Sequence, residues 1–312
     1  MPMETDRVAV LDVGSNSVRL LIAGCSGGQF FPIHTGRIVT RLLEGLKDGT
    51  LSDQSMARTL EAIKTLSEEA RTQGVREISG FGTSAMRDGY QNSQVLIDRA
   101  AVLGVTLRVL SGPEEAALAY AGAAPGGCAG VIDIGGGSTE FMTGQDGRVL
   151  AAASAQMGAV RLKELSGGEM APSKLLAQAR AALEPSAREA LRFPPRDGWV
   201  AVGGTFTALA AMELRLARYD GAKVQGFRLT AASAFAWLTR LTGMTQEERL
   251  KIPGLIPERA DILPFGTAIA AACFALIDQP FVTISDRDNL VGFLLRQYGT
   301  KLDECPERWN MV

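Results

Sequence analysis

Residues 10–19, Val-Leu-Asp-Val-Gly-Ser-Asn-Ser-Val-Arg, and residues 131–140, Val-Ile-Asp-Ile-Gly-Gly-Gly-Ser-Thr-Glu, align without a gap. In both, an apolar run ends in an aspartate, Asp12 or Asp133, and is followed by a glycine turn, a serine and a renewed apolar run. Only the last aligned position changes character, to Arg19 in one copy and Glu140 in the other. Self-similarity at this separation implies an internally duplicated chain in which two related domains each present one polar hairpin turn. The length of 312 residues agrees, being about twice the commonest domain size.

The remaining pattern places an α/β layer around each turn. Residues 30–39 read as a third strand and residues 53–72 as an amphipathic helix capped by Ser52. Strands follow at 77–81 and 106–110, with a polar turn at Gly82-Thr83-Ser84 and a helix at 94–103. A helix with two acids in its first turn starts after Ser111-Gly112-Pro113. Further on, a strand at 199–202 runs into Gly203-Gly204-Thr205, and helices are expected at 206–217, 231–241, 257–276 and 289–298. The fold class is therefore α/β, with strands and helices alternating in each half. The expected division is a first domain over 1–120, completed by the C-terminal helix at about 296–312, and a second over 121–295. The last helix is expected to pack back on the first domain, leaving the final dozen residues loose.

Composition excludes several classes of function. The formal charge of −2 provides no global positive field, so a nucleic-acid partner is not expected and an anionic ligand must be held by local groups. Cys25, Cys128, Cys273 and Cys305 are scattered without a Cys-x-x-Cys pair, which argues against a zinc site or a disulfide framework. The acidic N-terminus lacks the pattern of a secretory signal. The longest uncharged run, 262–277, is too short and too diluted by Gly, Thr and Ala for a membrane span, and reads as a buried helix. The expected setting is cytoplasmic, without a membrane partner.

A turn of Gly and Ser lets successive backbone N–H groups converge on one spot, which makes an anion nest. A single such turn is more often an ordinary hairpin; two matched ones, each behind a strand-terminal acid, point to phosphate. The nest residues are Gly14, Ser15, Asn16 and Ser17 in the first copy and Gly135, Gly136, Gly137, Ser138 and Thr139 in the second. An aspartate beside a phosphate needs a cation between the two charges, so Asp133, Glu140 and Asp12 are candidate Mg²⁺ ligands, direct or through water. Arg19 offers a fork suited to phosphate oxygens. Glu114 and Glu115 are candidates to activate a water, although acids in a first helical turn are also explained by the helix dipole. Arg87 is either a second phosphate clamp or a surface cation, and Gly203-Gly204 either a third anion contact or close helix–strand packing. His34 is the only histidine, which rules out a histidine metal cluster.

These residues resemble the exopolyphosphatase and guanosine pentaphosphate phosphohydrolase (Ppx/GppA) family, in its short, two-domain form. The resemblance rests on six segments in order: 12–19, 82–87, 110–116, 133–140, 202–205 and 259–262. It implies two duplicated actin-like domains, of the sugar kinase and actin ATPase, ribonuclease H-like class, flanking an interdomain cleft across which the two turns confront each other. It implies hydrolysis of a terminal phosphoryl group, from inorganic polyphosphate or guanosine pentaphosphate, with a link to the stringent response. By the same resemblance Glu115 is the catalytic base, supported by Glu114, Asp133 and Glu140 are associated with Mg²⁺, and Arg87 is the basic contact. The family commonly has an Arg-Glu pair where this chain has Leu290-Val291, so a local interdomain contact is expected to differ. Two other readings stay open from sequence: an ATP-dependent small-molecule kinase of the same fold, and a non-catalytic nucleotide-binding regulator. A homodimer is also left open.

Overall fold

A computed structural model describes residues 6–26, 29–123, 127–298 and 301–302. The expectation for the final dozen residues and Cys305 lies outside them. The chain packs as two units: 1–111 with 289–312, and 112–288.

In the first unit the order is β1 (Asp6–Val13), β2 (Ser17–Ser26), β3 (Gln29–Val39), α1 (Asp53–Thr72), β4 (Ile78–Gly82), α2 (Ser84–Asp88), α3 (Ser93–Val102) and β5 (Val105–Val109). The second unit holds α4 (Gly112–Ala123), β6 (Cys128–Ile134), β7 (Thr139–Gln145), β8 (Arg148–Ala155), α5 (Ala159–Leu165), α6 (Pro172–Ala190), β9 (Trp199–Val202) and α7 (Gly204–Glu213). It continues with α8 (Gly221–Val224), β10 (Arg228–Thr230), α9 (Ala231–Thr242), α10 (Gln246–Arg249), a single 3-10 turn (Pro257–Arg259), α11 (Leu263–Ile277) and β11 (Phe281–Ile284). Finally α12 (Asn289–Tyr298) and β12 (Lys301–Leu302) return to the first unit, where α12 packs on β1 and β2.

The duplication read in the sequence is a duplication of topology. The first sheet runs β12-β3-β2-β1-β4-β5 and the second, from its opposite edge, β8-β7-β6-β9-β11-β10. In each, three consecutive strands form an antiparallel meander, and the first of them pairs in parallel with a later strand: β1 with β4, β6 with β9. This parallel step places the C-terminal ends of β1 and β4, or of β6 and β9, side by side, which is where an α/β sheet presents its loops. The chain thus folds as two duplicated α/β domains of the expected class.

Local chemistry explains the element ends. Ser52 caps α1, accepting from Ser55 N at 3.2 Å, a contact worth about 1 kcal/mol. Ile63 and Leu66 lie on the buried face of α1, each contributing roughly 1.5–3 kcal/mol by removal from water. The uncharged run 262–277 becomes α11, which is buried almost all round, as a helix without a polar face must be. No helix among the described residues is long and apolar enough to cross a membrane.

The unit boundaries differ from those expected. Gly112-Pro113 starts α4, whose Ala116, Ala119 and Tyr120 pack against Val131, Met142 and Val202 of the second sheet, so the boundary falls before the helix and not within it. All of α12, from Asn289 onward, belongs to the first unit. The expected helix over 257–276 is two elements, because residues 260–262 lie outside helical structure between the 3-10 turn and α11. Gly82-Thr83-Ser84 leads straight into α2, and the helix after β9 begins at Gly204 and ends at Glu213.

Candidate active site

Each hairpin turn is closed by the same bond: Gly14 N donates to Ser17 O at 3.0 Å, and Gly135 N to Ser138 O at 3.0 Å. The peptides of the second turn share one direction. Gly135 O accepts from Ala159 N (3.0 Å), Gly136 O from Val160 N (2.8 Å) and Arg161 N (3.1 Å), and Gly137 O from Arg161 Nε (2.8 Å). In a trans peptide the N–H points opposite to the carbonyl, and no cis bond is present. Three consecutive carbonyls tied to the start of α5 therefore turn the N–H groups of Gly136, Gly137 and Ser138 to the other side. Gly158 permits the approach, since a Cβ there would lie 2.6 Å from Gly137 N. Thr139 spends its hydroxyl on Met157 O at 2.6 Å, so its side chain ties the turn down.

The first turn is built alike. Asn16 O accepts from Thr40 N (3.0 Å) and Arg41 N (2.9 Å), and Ser15 O from Leu43 N (3.3 Å), which turns the N–H groups of Asn16 and Ser17 away from that segment. Ser15 Oγ lies 3.0 Å from Ser84 Oγ at the start of α2. Arg87, later on α2, is half-buried and donates to Leu110 O at 2.8 Å.

The two hairpins differ in charge at one matched position. Asp12 faces Arg19 across β1 and β2, and Asp133 faces Glu140 across β6 and β7. Arg19 Nε donates to Asp12 Oδ2 at 3.0 Å and its Nη2 contacts the same oxygen, so the first hairpin carries its own countercharge. In the second hairpin two carboxylates share the place. Asp133 is 6% and Glu140 1% exposed, and Glu115 on α4, also 6% exposed, is the third member of the group. Glu114 is left half-exposed. Burial, then the charges of Glu115 and Asp133, push the Glu140 carboxyl well above the usual range, while hydrogen bonds from Ser154 and Ser138 oppose that rise. Ser154 Oγ donates to Glu140 Oε1 at 2.7 Å, and a Cβ on Gly112 would lie 3.1 Å from Ser154 Cβ, so the start of α4 abuts the strand that holds Glu140.

The turn after β9 completes this end of the second unit. Gly203 has φ +90°, and a Cβ there would meet Asp133 Oδ1 at 2.5 Å. A Cβ on Gly204 would fall on the guanidinium of Arg259, so that cation lies against the N-terminus of α7. Behind it, Tyr219 OH donates to Asp286; burial and the Asp286 charge raise the Tyr219 phenol, and Arg259 acts in the opposite sense.

The structure thus gathers Glu115, Asp133, Gly135, Gly136, Gly137, Ser138, Thr139, Glu140, Gly203 and Gly204 in the second unit, and keeps Asp12, Gly14, Ser15, Asn16, Ser17, Arg19 and Arg87 in the first. Among the described residues no three His, Cys, Asp or Glu side chains form a ready-made metal cage. Glu140, whose ionisation is opposed by burial and by Glu115 and Asp133, together with Asp133 suits a cation that keeps most of its waters and takes substrate oxygens, which is the habit of Mg²⁺. Sequence reasoning did not assign a role to Ser154 or Arg259. Ser154 was accessible through the duplication, because it pairs with Glu140 as Arg37 pairs with Arg19.

Residues 21–297 match the Ppx/GppA phosphatase family. The chain belongs to that family. As a Ppx/GppA phosphatase it is a hydrolase acting on phosphoanhydrides. It is 33% identical to Exopolyphosphatase 2 of Mycobacterium tuberculosis over 322 aligned residues, covering 95% of this chain and 100% of that protein. Among solved structures, an exopolyphosphatase-like protein superposes with a TM-score of 0.84 at 26% identity, over 94% of this chain and 99% of that one. An exopolyphosphatase from Cytophaga hutchinsonii does so with a TM-score of 0.83 at 25% identity, over 95% and 99%. The Aquifex aeolicus family member gives 0.77 at 27% identity, over 93% and 97%.

Proposed function

We propose that this phosphatase removes the terminal phosphoryl group of inorganic polyphosphate, with guanosine pentaphosphate as a second substrate presenting the same kind of bond. The observation that carries the reading is the gathering of Glu115, Asp133 and Glu140 beside the nest of residues 135–138. The exopolyphosphatase relatives support polyphosphate as the main substrate.

In this mechanism the N–H groups of Gly136, Gly137 and Ser138 hold the oxygens of the terminal phosphoryl group. Asp133 and Glu140 would hold Mg²⁺, directly or through water, and the ion would supply positive charge to the phosphate oxygens. Glu115 orients a water in line with the bridging oxygen and takes its proton as the new O–P bond forms and the P–O bridge breaks. The shortened chain leaves with the bridging oxygen, and orthophosphate leaves with the oxygen of water. Arg259, held against the start of α7, offers a guanidinium to phosphate oxygens at the same end of the sheet.

The test is phosphate release measured side by side on short polyphosphate, long polyphosphate and guanosine pentaphosphate, with and without Mg²⁺ and with no acceptor added. Mg²⁺-dependent release, greatest on short polyphosphate, is expected. No release without an added acceptor would refute hydrolysis, and tight nucleotide binding without turnover would favour a regulator.

A further inference from the structure

Arg249, at the end of α10, is only 3% exposed, and its guanidinium is committed to backbone. Its Nε donates to Leu241 O at 3.0 Å, its Nη1 to Ala260 O at 2.9 Å and its Nη2 to Met244 O at 2.8 Å, with Met170 Sδ 3.0 Å away. Burial lowers the pKa of this guanidinium, and the nearby charge of Asp261 opposes the change. Removing a guanidinium from water is costly, and here the cost is offset by forking it across three backbone carbonyls, which fixes their relative positions.

The segment 250–262 runs back over α7. Near its start, Gly254 has φ +87° and lies so close to α7 that a Cβ would meet Met212 N at 2.7 Å. Near its end, Arg259 lies against Gly204, the first residue of α7. Ala260, the residue after Arg259, is the one Arg249 holds. Asp261 is tied to Lys163 Nζ at 2.8 Å, and Lys163 stands on α5, the helix whose first turn carries the carbonyls of the 135–137 nest. The segment is therefore anchored on both sides of the arginine that it presents.

We propose that Arg249 is a positioning residue for Arg259: by gripping Ala260 O it sets the guanidinium of Arg259 at the start of α7, in register with the nest that binds the terminal phosphoryl group. The proposal rests on the reading of that nest as the phosphate site. Lysine at 249 keeps the charge but loses the fork to three carbonyls. Methionine fills the space without a buried charge.

The experiment is a double-mutant cycle on short polyphosphate with saturating Mg²⁺, comparing the parent, Arg249→Lys, Arg249→Met, Arg259→Ala and the two doubles, with kcat and KM separated and thermal unfolding recorded for each. Arg249→Lys is expected to lower kcat/KM about tenfold in the parent and less than about twofold in the Arg259→Ala background. An equal factor in both backgrounds would overturn the proposal alone, as would failure of both Arg249 variants to fold, since either result makes Arg249 a general structural residue. An Arg259→Ala protein as active as the parent would overturn the reading of the phosphate site, and the proposal with it.

Discussion

Gly203→Ala probes how tightly the turn after β9 is fitted to the carboxylate beneath it. Gly203 sits at φ +90°, ψ +162°, a region essentially reserved for glycine, so any Cβ there costs about 1–3 kcal/mol in backbone strain alone. The same Cβ would stand 2.5 Å from Asp133 Oδ1 and 2.7 Å from Ile134 O, and neither the strand carbonyl nor the paired aspartate yields freely. The sum is on the order of 3 kcal/mol, which lowers Tm by roughly 6–12 °C for a domain of this size. Gly147→Ala is the control: φ is also positive, at +79°, but nothing lies within 4 Å, so it loses only about 1 kcal/mol and 2–4 °C. Scanning calorimetry of both variants separates strain from contact. Because the contact is with Asp133, Gly203→Ala is also expected to raise the Mg²⁺ concentration for half-maximal activity, while Gly147→Ala does not. A Gly203→Ala protein melting within about 2 °C of the Gly147→Ala control would refute the reasoning.

Glu140 has its pKa raised in the folded chain, so its contribution to stability is full below the ordinary carboxylate range and is lost as pH rises through the raised folded value. Metal-free Tm is therefore expected to fall with rising pH across that interval, with Glu140→Gln removing the slope, gaining at least about 2 °C near neutrality and losing activity; a metal-free pH profile identical in parent and variant would contradict this. Asp12→Asn removes the carboxylate charge that Arg19 grips, and is expected to raise KM about tenfold through loss of a charged hydrogen bond while leaving the Mg²⁺ half-activation concentration within about twofold. A parallel rise in Mg²⁺ requirement would make Asp12 a metal ligand instead.

The sequence was most legible where a local rule coincides with a long-range one. The repeated Asp-x-Gly-x-x-Ser pattern specified both hairpins, and the seven-residue spacing of Asp133 and Glu140 made them cross-strand partners in the register observed. Ser52 capping α1 was equally plain, because it is decided within a few residues. What stayed hidden depends on packing. α6 contains Pro185, which speaks against an unbroken helix, yet Leu175, Ala179, Leu183 and Ala187 pack in the core at helical spacing. As acids of a first helical turn Glu114 and Glu115 were alike and only the resemblance singled out Glu115, whereas the seating of α4 buries the second and leaves the first half-exposed. Arg259 lies in a segment, 259–262, that the resemblance includes, but only the fold brings its guanidinium against the start of α7. Likewise, nothing in the composition of 241–262 announces that Arg249 grips Ala260.

The most direct test of the account is Glu115→Gln, which changes one oxygen to an amide nitrogen and keeps the shape of the side chain. If Glu115 takes the proton of the attacking water, phosphate release from short polyphosphate at saturating Mg²⁺ falls by about 10²–10⁴-fold, with Tm and substrate affinity little changed. Turnover within a few-fold of the parent would contradict the assignment and move the catalytic base elsewhere.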